Sequence, residues 1–134
     1  MPPIADGALS GRRILIVEDE YFLADELRRI LAQLGIEVVG PAATLDGGLH
    51  LLVNTQIDFA VLDVHLRDSD AFAISATLLE RRIPLLFATG YGEAQISPQC
   101  ANVPRLEKPF DPLALVAAIT SGIRKSDNPT DSCG

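Results

Sequence analysis

The sequence predicts a single α/β domain built on a doubly wound parallel sheet of five strands. Three observations carry this. Short, nearly continuous apolar runs, such as "ILIV" at 14–17 and "IPLLFAT" at 83–89, recur along the chain. Between them lie longer segments whose apolar residues return at helical spacing, and strands that read as unbroken apolar runs are covered by helices on both faces. The length of 134 residues, with 48% hydrophobic composition and a mean hydropathy of +0.24, describes one ordered domain with its own core.

The elements follow in order. Residues 1–11 and 125–134 are rich in Pro, Gly, Ser and Asp, lack periodicity and read as flexible ends, leaving a domain over 12–124. Residues 12–17 form the first strand. The segment 21–35 places Leu23, Leu27, Ile30, Leu31 and Leu34 on one helical face, with Gly35 as its stop. Residues 36–40 read as the second strand, and 44–54 as a helix weakened by Gly47 and Gly48. A strand at 58–64, a helix at 69–82 and strands at 83–89 and 103–108 come next. The last helix, 111–125, has Asp111 as N-cap and Pro112 at its first position. The segment 91–102 contains Pro98 and no apolar stripe, so the fourth helix of the alternation is expected to be short or missing.

Charge and cysteine usage narrow the functions. A formal charge of −7 argues against direct contact with nucleic acid or an anionic membrane, since both require a basic face. No apolar run approaches the roughly 20 residues that span a bilayer. The start, "MPPIADGALSGRR", lacks the apolar stretch of a signal peptide. Cys100 and Cys133 form no CxxC and read as free thiols in a reducing compartment, a disulfide being the weaker alternative. The expectation is a cytoplasmic protein without membrane insertion.

In doubly wound sheets the ligand site lies outside the carboxyl ends of the strands. There the first strand delivers Glu18, Asp19 and Glu20, the third Asp63, the fourth Thr89 and the fifth Lys108. Glu20 is expected in the first helical turn, where an acid complements the dipole. Crowded carboxylates repel, and one lysine cannot neutralise three of them. Mg²⁺, a hard cation that takes oxygen ligands and phosphate, can. Asp63 beside it is then a nucleophile toward phosphorus, with Lys108 and Thr89 holding the phosphoryl oxygens. Each of these residues alone is ordinary turn or cap chemistry; their order on successive strand ends carries the reading.

With these residues in place, the chain resembles the receiver domain of two-component response regulators over roughly 12–124. The matching pieces are Glu18 and Asp19 in "ILIVEDE", Asp63 in "AVLDVHL", Thr89 in "LLFATGYG" and Lys108 in "LEKPF". "FATGY" after Pro84 resembles the FAT GUY subgroup of mostly stand-alone receivers. The resemblance implies a flavodoxin-like sheet of order 2-1-3-4-5. It implies a sensor histidine kinase as phosphoryl donor to Asp63, and output through contacts with a downstream protein target or phosphotransfer partner. It implies Mg²⁺ held by Glu18, Asp19, Asp63 and the backbone carbonyl of His65, and no activity beyond the chain's own phosphorylation and dephosphorylation. The His65 imidazole reads as an exposed modulator of dephosphorylation, and His50 as a structural or solvent-facing helix residue.

Some positions depart from the family pattern. Arg105 stands three residues before Lys108, where receivers carry an aromatic switch residue, so Tyr91 is the candidate to act with Thr89. Residues 90–103 are expected to change most on activation. The loop "HLRDSD" lacks the usual Pro-Gly pair, and its Asp68 and Asp70 read as caps of the next helix. The Lys108–Pro109 peptide is a candidate cis bond. Two other readings are a phosphatase with an Asp nucleophile and a phosphorylation-independent adaptor. The first wants a second acid where His65 stands, and the intact Thr89, Lys108 and acids count against the second.

Overall fold

The computed structural model describes residues 9–63, 71–89, 104–107 and 111–127. In chain order they form β1 (Arg13–Val17), α1 (Tyr21–Gln33), β2 (Glu37–Ala42), α2 (Leu45–Asn54), β3 (Phe59–Asp63), α3 (Ala71–Glu80), β4 (Leu85–Thr89), β5 (Arg105–Glu107) and α4 (Pro112–Asp127). The five strands make one sheet in the order β2-β1-β3-β4-β5, and every pair is parallel. This is the doubly wound architecture that the alternation of apolar runs and helical stripes predicts.

Two cores follow from the pleat. Successive side chains of a strand point to opposite faces. Leu15 and Val17 of β1, Ala60 and Leu62 of β3, and Leu85 and Phe87 of β4 pack with α2 and α3 through Leu52, Ile74 and Leu78. Their neighbours Ile14, Ile16, Phe59, Val61, Leu86 and Ala88 pack on the other side with α1 and α4, through Leu27, Leu31, Leu115 and Ile119. Each fully buried aliphatic side chain contributes about 1.5–3 kcal/mol by leaving water.

Helix ends match their chemistry. Thr44 caps α2 by accepting the Gly47 N–H at 3.0 Å, and Asp111 accepts the Leu113 N–H at 3.2 Å ahead of α4. After α1, the Gly35 N–H donates to the Ala32 carbonyl at 3.1 Å and the Ile36 N–H to Leu31 at 3.3 Å. Those two bonds define a Schellman turn, which requires the left-handed conformation that Gly35 adopts at φ +82°. Gly48, expected only to weaken α2, has a packing reason. A Cβ there would lie 2.8 Å from Val17 Cγ2, so the glycine lets α2 settle onto β1. On the outer face of α1, Arg28 donates to Asp25 at 2.7 Å, which holds that carboxyl below its usual range.

Several expectations need correction. Leu9, placed in the flexible start, is 2% exposed and belongs to the core between the sheet and α1. Its carbonyl accepts the Arg12 N–H, and the Gly11 N–H donates to Gly35, so the packed chain begins at Leu9 rather than at residue 12. The last helix extends to Asp127, past the expected end of the domain. β2 runs on through a cis Gly40–Pro41 peptide to Ala42, because as an edge strand it tolerates proline. Glu20 is the N-cap residue of α1 and stands before its first turn. Residues 90–103, including the expected short or missing fourth helix, and the Lys108–Pro109 peptide lie outside the described residues.

Candidate functional site

Strand register builds the site. β1 and β3 pair from Ile14↔Phe59 to Val17↔Leu62, so one further step sets Glu18 beside Asp63. By alternation both continue the rows that begin at Ile14 and Phe59, on the face shared with α1 and α4. Neighbouring strands lie about 4.8 Å apart. Accordingly one carboxylate oxygen from each of Glu18, Asp19 and Asp63 lies within 4.8 Å of the others. Glu18 is 3% exposed and Asp63 1%, while Asp19 faces solvent.

Backbone bonds fix this geometry. The Glu18 N–H donates to Ala42 at 2.9 Å, which ties the end of β1 to the extended part of β2. Glu18 Oε2 in turn accepts the Glu20 N–H at 3.1 Å, closing the chain into the turn that starts α1. Asp63 is the last residue of β3 and is in register with Ala88 of β4. Two buried carboxylates and an exposed third form an oxygen donor set of the kind that a hard divalent cation takes. The donor chemistry therefore fits Mg²⁺.

Of the residues expected at the site, Glu18, Asp19 and Asp63 are brought together. Thr89 closes β4 in register with Glu107, and Lys108 follows β5 in sequence. Lys108, His65 and Tyr91, with Asp68 and Asp70, lie outside the described residues. His50 is exposed on α2, within 3.4 Å of the Asn54 side chain, as a solvent-facing helix residue should be.

One feature escaped the sequence reading. Tyr21 and Phe22, directly after the acids, are 74% and 78% exposed and meet edge to face at 5.4 Å. The signal was present in "EDEYF". Of the stripe listed for that helix the first member is Leu23, which leaves both aromatics off the apolar face.

The fold and the acidic edge together define a signalling domain of known type. The family model of the response regulator receiver domain matches residues 14–120, and the chain belongs to that family. It is similar to the sensory transduction protein LytT of Bacillus cereus, with 31% identity over 113 residues, 80% of this chain and 45% of that protein. It also resembles YbdJ of Bacillus subtilis, described as an uncharacterized transcriptional regulatory protein, with 32% identity over 112 residues, 81% of this chain and 49% of that one. The chain spans about half the length of these curated relatives. Among solved structures, the solution structure of SdrG from Sphingomonas melonis aligns with a TM-score of 0.72 at 35% identity, covering 85% of this chain and 98% of that one. A CheY-like receiver domain protein from Methanospirillum hungatei aligns at 0.79 and 28%, covering 90% and 99%. Receiver domains are phosphorylated by histidine kinases and bind Mg²⁺ at an acidic pocket. Among the described residues, no helix is long and apolar enough to cross a membrane.

Proposed function

We propose that Asp63 accepts a phosphoryl group from a sensor histidine kinase and that the phosphorylated chain signals by contacts with another protein. The observation that carries this reading is the convergence of Glu18, Asp19 and buried Asp63 within 4.8 Å at the carboxyl edge. A carboxylate oxygen of Asp63 attacks the phosphorus of the phosphohistidine. The P–N bond breaks, and the imidazole leaves with the bonding pair and takes up a proton. Asp19 is the direct Mg²⁺ ligand in this reading, Glu18 helps directly or through water, and Asp63 and the His65 carbonyl complete the protein's share. Bound there, Mg²⁺ supplies positive charge that offsets the crowded acids and the transferring oxygens.

Lys108 and Thr89 hold the phosphoryl oxygens, and hydrolysis of the same acyl phosphate returns the resting state. Thr89 follows the new charge inward and Tyr91 reorients with it. The "FATGY" string supports placement in the FAT GUY subgroup. Exposed Tyr21 and Phe22 offer apolar contact area beside the site that a docking protein must approach. A cytoplasmic location follows from this partner.

Transfer of ³²P from an autophosphorylated histidine kinase, in Mg²⁺, tests the assignment. Asp63→Asn is expected to reduce acid-labile, base-labile label to background while native chain is labelled within minutes. Full labelling of the variant would place the acceptor elsewhere.

A further inference from the structure

The opposite edge of the sheet carries the reverse charge. Arg12 precedes β1, and Arg81 and Arg82 lie in the turn between α3 and β4. Together with Asp58 and an apolar wall that includes Ile57 and Ile123, they line an open pocket of about 170 Å³. In a chain of net charge −7, three guanidinium groups against one carboxylate make a local inversion of sign. Asp58 is already engaged, since its Oδ2 accepts the Arg13 N–H at 2.8 Å.

A helix carboxyl terminus favours cations, which accounts for positive charge after α3. It does not account for Arg12, nor for the residue type at position 82. The Arg82 N–H donates to Leu79 at 3.0 Å and the Ile83 N–H to Leu78 at 2.9 Å. This is the Schellman turn that also ends α1, and Arg82 holds the left-handed position at φ +60°. In α1 that position is Gly35. A side chain there costs on the order of 1 kcal/mol relative to glycine. Residues kept in such conformations point to a demand for the side chain itself, and this one lines the pocket with two other arginines.

We propose that the pocket at the amino edge binds a phosphoryl-class dianion through Arg12, Arg81 and Arg82. One guanidinium fork satisfies a planar carboxylate. Three forks from two chain segments suit a tetrahedral oxyanion bearing two charges. The volume is that of about five or six water molecules at roughly 30 Å³ each, enough for a phosphate and part of its shell. The site is distinct from the carboxyl-edge acids and does not rest on phosphorylation of Asp63.

Inorganic phosphate titrated into the full chain without Mg²⁺, at constant ionic strength, tests this by NMR of arginine Nε and backbone amides. Saturable shifts are expected at 12, 57–58 and 81–83, and equally in Asp63→Asn. O-phosphoserine in a second titration distinguishes sources: binding by either probe supports the site, and the tighter one tells a free ion from a monoester. Arg82→Gly is expected to weaken binding at least fivefold while raising the thermal unfolding midpoint. Arg12→Gln, which leaves the turn alone, is expected to weaken binding similarly. Shifts that do not saturate, equal shifts with acetate, native affinity in Arg82→Gly, or a lowered midpoint in that variant would overturn the proposal.

Discussion

At the carboxyl edge of the sheet, Glu18 and Asp63 are buried beside Asp19, and three carboxylates share a space of 4.8 Å. At the amino edge, Asp58 stands among arginines and exchanges two 2.8 Å bonds with the Arg13 backbone, its Oδ2 accepting that N–H and its own N–H donating to the carbonyl. Both edges place aspartate next to a strand end. The company differs, and so does the consequence for folding. Asp58 is surrounded by groups that favour its charge, so it ties β1 to the loop before β3. Asp63 is surrounded by groups that oppose its charge, so the fold holds it at a cost that a bound cation relieves.

The largest effect on stability is expected from neither aspartate but from the apolar anchor near the amino edge. Leu9→Ala empties a fully packed site and should destabilise by about 2–4 kcal/mol in urea unfolding. A loss under 0.5 kcal/mol would return residues 1–11 to the status of a flexible lead. Asp63→Asn should act in the opposite direction: without Mg²⁺ it should stabilise by about 1–2 kcal/mol, through removal of a buried like charge. Saturating Mg²⁺ should shrink that difference, because only the native site gains from the ion. A destabilised variant under both conditions would mean that Asp63 holds the fold. Asp58→Ala should cost about 1 kcal/mol by depriving the Arg13 N–H of its acceptor, with no dependence on Mg²⁺. A Mg²⁺-dependent change there would erase the distinction between the edges.

Much of this was legible in the sequence because its signals are local and repeated. Apolar runs ending in acids located β1 and β3, and the parallel order brings those ends together, so three site residues met as expected. Leu9 was not legible. It is a lone apolar residue in a Gly/Ser/Ala-rich stretch, and its burial depends on contacts with a turn more than twenty residues away. The extension of β2 past Gly40 was hidden because proline reads as a strand breaker until the strand is known to be an edge. Gly48 read as a weakness since propensity registers only the helix, whereas its value lies in what Val17 requires. Arg82 gave no warning at all: nothing in "LLERRIPLL" says which residue will turn left-handed.

The pleat of β3 has a consequence for heredity. Asp63 lies an even number of residues beyond Phe59 and Val61, and so shares their face of the sheet. Parity, not distance, assigns it to that face. A one-codon insertion between Phe59 and Asp63 would send the carboxylate to the side of α2 and α3 and interchange two cores in the same event, while a point mutation at either core residue leaves parity intact. Lineages of this chain can therefore drift in which apolar residues fill β3, yet the reading frame of its pleat is inherited as a single unalterable trait.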